Sequence, residues 1–151
     1  WLVIKAGNLQ YMSAGSGIRH SEFNPSKSNR VHFLQVWLMP SDPGGEPRYA
    51  GIELAKAAKN NALTLLLAGH PRGEAIEIRQ DAEVYFGRLD KGHSVAIDLG
   101  TERFAWVHII EGQLQLLNDV LRKGDGAGVS KAQRLDLSAR QTAQFLFFNL
   151  A

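Results

Sequence analysis

The chain has 151 residues, no cysteine, 17 Lys and Arg against 15 Asp and Glu, and a formal net charge of +2 at pH 7. Without cysteine there are no disulfides and no thiolate chemistry, and so small a net charge, with its basic residues scattered, leaves no footprint for nucleic acid. No apolar run approaches the roughly 18 residues of a membrane span, and no signal-peptide pattern is visible, so a cytoplasmic location is expected.

The length suits one ordinary core. The first residue is Trp1 rather than methionine, which leads to the expectation that the natural start lies upstream. Trp1 to Ile4 is a short apolar run closed by the turn Lys5-Ala6-Gly7. Leu9 to Ser13 reads as a second strand, and Ala14 to Gly17 as the loop that delivers His20. Asn24-Pro25-Ser26 breaks the chain again. Val31 to Met39 (VHFLQVWLM) is almost continuously apolar and predicts a strand buried on both faces. Pro40 to Pro47 holds three of the five prolines and marks a boundary. Ile52 to Lys59 predicts a short helix, stopped by Asn60-Asn61.

From Leu63 onward the pattern is all strand. The segments are Leu63–Leu67, Ala75–Arg79, Ala82–Leu89, His93–Leu99, Phe104–Glu111, Gln113–Leu117, Leu135–Leu137 and Gln144–Leu150, with glycine turns between them. Such spacing argues an antiparallel sandwich or barrel. Three regions are therefore expected: 1–40, 41–62 as linker and helix, and 63–151 as a complete barrel.

His20 and Glu22 carry the chemistry of the first region. On a strand, positions i and i+2 project to one side, so an imidazole and a carboxylate would share a space as two ligands of one metal must. The same pair also reads as a solvated strand end. Gly15-x-Gly17 lacks the third glycine and the following helix of a dinucleotide loop. His20-Ser21-Glu22 spells the H-x-E of zinc deaminases without their cysteines. His32 is a candidate third ligand from a neighbouring strand. Arg19 could orient an anion or sit on the surface. His108 reads as structural, His70 and His93 as solvated, and Gly112 as the glycine of a tight hairpin. There is no G-x-S-x-G elbow and no P-loop.

Self-similarity adds a further clue. At a shift of 117 positions Gly7 meets Gly124, Asn8 meets Asp125, Met12 meets Val129 and Ser13 meets Ser130. Carried forward, His20 meets Leu137 and Glu22 meets Ala139. One copy keeps two polar groups where the other has apolar ones, as if the tail of one barrel preceded a second, ligand-free barrel.

The segment MSAGSGIRHSEFNPS resembles the signature of pirin-like proteins, two-barrel members of the cupin superfamily. The resemblance runs on through Val36 to Pro40, Gln80 to Tyr85, and Trp106 to Gly112. It implies an all-β fold: a cupin-type antiparallel barrel (double-stranded β-helix), remnant strands of a preceding cupin, and one short helix. It also implies one metal, usually iron, held by three histidines and a glutamate. His20 and Glu22 match one histidine and the glutamate, whereas the other two histidines lie on an H-x-H segment upstream of Trp1. The activity implied is oxidation of a flavonoid such as quercetin. Because half the donor set is absent from these residues, the chain alone is expected to be a non-catalytic module that binds a small molecule or a protein. A homodimer through the orphaned N-terminal strands is expected with it. The alternative is a metal-dependent oxygenase whose missing ligands come from upstream or from another chain.

Overall fold

The computed structural model describes residues 3–151. Trp1 and Leu2, half of the first expected strand, lie outside the described residues, while Val3 and Ile4 are exposed and belong to no strand. β1 (Asn8–Ser13) pairs antiparallel with β2 (Arg48–Glu53), Leu9 opposite Ile52 and Tyr11 opposite Ala50. A single helical turn, α1 (Leu54–Ala57), follows.

The remaining strands form one eight-stranded sheet. They are β3 (Ala62–Ala68), β4 (Ile76–Glu77), β5 (Ala82–Leu89), β6 (Ser94–Asp98), β7 (Phe104–Leu116), β8 (Asp119–Arg122), β9 (Gly126–Val129) and β10 (Arg134–Leu150). Its spine is the antiparallel pair β7–β10. Phe104 to Glu111 runs opposite Leu150 to Gln144, and Gln113 to Leu116 opposite Gln141 to Leu137. Between these stretches the register slips, and Gly112 takes φ +81°. A Cβ at Gly112 would collide with the Thr142 carbonyl oxygen. Glycine is therefore the residue that lets the ribbon bulge and fold over there. The fold-over yields two facing layers: β4-β3-β5-β10-β7-β9 and β6-β10-β7-β8.

Between the layers lies an apolar interior. Alternate residues of β7 (Ala105, Val107, Ile109) and of β10 (Leu135, Leu137, Phe145, Phe147) fill it, as the period of two requires. The Phe145 ring occupies the space a Cβ would take at Gly87. Tyr85 and Phe147 meet at a ring-centroid distance of 5.9 Å with planes tilted 55°. A second core covers the outer face of β3, β5 and β10, where Leu66, Val84, Phe86 and Phe148 are packed by Leu9, Tyr11, Ile52 and Leu54. The β1–β2 ribbon is thus fastened to the outside of the barrel.

The all-β architecture stands as expected, with local corrections. The hairpin expected at Gly112 is a bulge inside one 13-residue strand, and the two segments from Leu135 to Leu150 are one strand of 17 residues. In β10 the inward positions stay in phase across the break, Leu135, Leu137 and Ala139 with Ala143, Phe145 and Phe147, whereas in β7 they shift by one, from Ala105, Val107 and Ile109 to Leu114 and Leu116, as a bulge requires. The helix expected over Ile52–Lys59 shrinks to one turn, because Ile52 and Glu53 are held in the ladder opposite Leu9 and Asn8. Ladder bonds outweigh the helix propensity of a short segment. The strand expected over Ala75–Arg79 keeps only Ile76 and Glu77. β9 (GAGV) was hidden by a glycine-rich composition that reads as turn, and β8 (DVLR) by having only four residues.

The largest correction is Val31–Met39, which is neither a strand nor buried. Val31, Phe33, Val36, Trp37 and Met39 are exposed, Trp37 to 79%. A strand exists only through ladder bonds, and these residues make no backbone–backbone hydrogen bond to any described residue.

Candidate functional site

β1 ends at Ser13, and the chain turns through Ala14–Gly17, closed where Gly17 N–H donates to the Ala14 carbonyl at 2.8 Å. Gly15 and Gly17 both take positive φ, +53° and +128°. The turn leads into residues 18–26, which form neither strand nor helix. Among the described residues, therefore, no ladder imposes the shared projection that strand alternation predicts for His20 and Glu22. Beyond them Asn24 and Ser26 cap a small polar turn: Ser26 N–H donates to Asn24 Oδ1 at 3.1 Å, and Asn29 N–H to Ser26 Oγ at 2.8 Å.

His20 and Glu22 are both exposed, and neither makes a hydrogen bond or ion pair with a described residue. His32 and Arg19 are exposed as well. Among the described residues no three or more His, Asp or Glu side chains are placed to hold a metal ion, so His32 does not join His20 and Glu22 in a donor set. An imidazole and a carboxylate on one open segment are too few for a resident ion, which a protein site holds by ligand number and geometry. The described residues do not by themselves fit the metal.

The internal repeat has a structural counterpart. Asn8 N–H donates to the Lys5 carbonyl at 3.0 Å, and 117 positions on Asp125 N–H donates to the Arg122 carbonyl at 2.9 Å. Gly7 and Gly124 take the same positive φ, +77° and +87°, and each turn leads into a strand, β1 or β9. The copies then diverge. Leu137 is fully buried in the barrel interior, whereas its counterpart His20 is open to solvent.

Two further surfaces lie outside the predicted site. At one end of the barrel a cleft of about 230 Å³ is lined by Gly69, His70, Asp81, Glu83, Arg103 and Asn149. Its floor is a polar network: Tyr85 Oη donates to Glu83 at 2.7 Å, Arg72 pairs with Glu83 at 2.7 Å, and Arg103 bridges Asp81 and Asn149 at 2.7 and 3.0 Å. Burial alone would raise the Glu83 pKa, but the hydrogen bonds from Tyr85 and Arg72 hold it below the usual carboxylate range. Burial and the Glu83 carboxylate push the Tyr85 phenol up to about 12. The same-face spacing of Glu83 and Tyr85 on β5 was the sequence signal for this network. The second surface is an outer groove of about 400 Å³ between residues 34–38 and the β7–β10 face, with Trp37, Trp106 and His108 in its lining. His108 is half-buried there, on the face of β7 opposite the interior. His70 and His93 are exposed.

A two-layered antiparallel barrel whose β8–β9 turn is repeated upstream, ahead of an H-x-E segment, defines a cupin-type protein. Comparison with known proteins agrees. Residues 65–150 match the quercetinase C-terminal cupin domain, and residues 2–38 match the family Pirin. The chain belongs to the pirin family. It is 32% identical over 147 residues to a quercetin 2,3-dioxygenase of Escherichia coli (strain K12), covering 97% of this chain and 62% of that protein. It is 34% identical over 149 residues to a putative quercetin 2,3-dioxygenase of Pasteurella multocida (strain Pm70), covering 97% and 63%. The crystal structure of YhhW from Escherichia coli superposes with a TM-score of 0.91 at 31% identity, over 98% of this chain and 62% of that one. The same bacterial pirin in complex with nickel(II) gives 0.89 at 32% identity, over 96% and 62%. The chain thus spans about three fifths of the length of these relatives.

Proposed function

We propose that His20 and Glu22 are two donors of a mononuclear metal centre of the quercetin 2,3-dioxygenase kind, a centre that the described residues do not close alone. The remaining donors would come from an upstream segment or another chain. The observation that carries this reading is the free, exposed His20-Ser21-Glu22 within the segment that matches the Pirin family. Similarity to quercetin 2,3-dioxygenases and to a nickel-bound pirin supports the metal and the substrate class; iron is the metal that the family resemblance implies. The test begins with the coding DNA, where an in-frame H-x-H upstream is expected. A protein carrying it should retain about one Fe(II) or Ni(II) per chain after desalting, as one mononuclear site requires, and lose it in Glu22→Ala. No retained metal in that protein, or metal indifferent to Glu22→Ala, sinks the reading.

A second reading rests on the exposed apolar residues of 31–39 beside the outer groove. In it the chain by itself is a non-catalytic interaction module that pairs with a second copy through this face. A ligand within the barrel is disfavoured, since Phe145 and Phe147 fill the interior.

A further inference from the structure

The segment bearing His20 and Glu22 is tied to the barrel at one tightly built joint. Ser16 N–H donates to the Gly45 carbonyl at 2.7 Å. Gly15 lies flat against that loop: a Cβ there would collide with the Gly45 oxygen and come within 2.7 Å of the Glu46 carbonyl carbon and 2.8 Å of the Pro47 nitrogen. All three obstacles are backbone, which has no rotamer to yield. On its other side Gly45 meets the barrel, where a Cβ would lie 2.6 Å from Nη1 and 3.3 Å from Cζ of Arg79. The Arg79 guanidinium also donates to Ser13 Oγ at 3.4 Å, and the Arg79 carbonyl accepts from Ser41 N–H at 2.7 Å. Layer on layer, Gly15, the 45–47 loop and Arg79 make a stack that holds both ends of the Ala14–Gly17 turn.

Arg79 is half-buried and has no carboxylate partner among the described residues. What arginine adds is a rigid plane with several donors that touches both loops at once.

We infer that Arg79, through the Gly15–Gly45 stack, is a positioning residue that fixes the His20–Glu22 segment relative to the C-terminal barrel. This inference rests on the metal-donor reading of that pair for its purpose, though not for its test. Loops outside a packed core open at low free-energy cost, and residues 18–26 form neither strand nor helix. A metal centre closed by donors from elsewhere needs its two donors presented at one place, and the joint five residues before His20 supplies that constraint.

The absence of cysteine makes the test clean. Ser21→Cys and Lys91→Cys, both at exposed positions, accept a pair of nitroxide labels, one between the metal donors and one on the barrel. Pulsed electron paramagnetic resonance should give a single narrow distance in the otherwise unchanged chain. Arg79→Ala should replace it with a broad distribution, and Gly15→Ala should shift or broaden it, while the far-UV spectrum and thermal midpoint of the barrel stay put. If Gly15→Ala fails to fold, Arg79→Ala alone decides, since it removes side-chain atoms and introduces no clash. A narrow, unmoved distance in Arg79→Ala, or a broad one before any substitution, overturns the inference. The measurement uses no metal, so its failure is distinct from a failure of the metal reading.

Discussion

Glu83 and Tyr85 show how a pair of side chains on one face of β5 couples stability to pH. The Glu83 carboxyl is held low in the folded state by hydrogen bonds that outweigh its burial. Its stabilisation is present above the ordinary carboxyl range and is lost as pH falls through the lowered folded value. Glu83→Gln should therefore flatten the acid limb of urea midpoint against pH. The Tyr85 phenol runs the other way. Raised to about 12 by burial first and the Glu83 carboxylate second, it stabilises the fold fully below an unfolded pKa of about 10. That stabilisation is lost as pH rises toward about 12, so Tyr85→Phe should flatten the alkaline limb. Phe145 tests the interior. Its ring is fully buried and fills the space over Gly87, so Phe145→Ala should cost about 3–5 kcal/mol in urea unfolding with an unchanged slope.

At the scale of elements the β7–β10 ribbon is decisive, because its bulge lets one pair of strands build both layers. Gly112 combines φ +81° with backbone contact to Thr142. Gly112→Ala should therefore destabilise by about 2 kcal/mol or more, read as a lower thermal midpoint. The β7 and β10 segments were legible because Val107, Ile109, Phe145 and Phe147 alternate with outward residues. Their continuity was not, since a glycine or a polar run looks the same whether it ends a strand or bends it. Val31–Met39 failed for a different reason: apolar content reports that a segment will be covered, while a strand needs a partner ladder as well. Amides of 31–39 should exchange within the dead time of a hydrogen-exchange experiment, while those of β10 between Ala143 and Asn149 remain protected.

For the whole molecule, Val31, Phe33, Val36, Trp37, Met39, Phe104 and Trp106 are exposed, and Val36, Trp37 and Trp106 line the outer groove; clustered apolar exposure of this kind marks an interaction face. If a second copy covers it, light scattering should show a mass that rises with concentration, and Trp37→Asp should return it to the monomer value. A mass that stays monomeric at high concentration in the unchanged chain would discard the dimer. No helix is long and apolar enough to cross a membrane among the described residues.

The sequence by itself determined the all-β class and the family, and it singled out the upstream repeat and the His20–Glu22 pair as candidate metal donors. These depend on residue type, spacing and local alternation, which survive without any knowledge of neighbours. Only the tertiary structure decided that Leu137 is buried in the barrel while its repeat counterpart His20 stands in solvent, and that β7 and β10 each bend rather than end. It also decided that, among the described residues, His32 joins no donor set with His20 and Glu22, and that Arg79 meets Gly45, 34 positions away in the chain. Each of these turns on which surfaces come to face one another, and that is fixed by packing between segments distant in the chain.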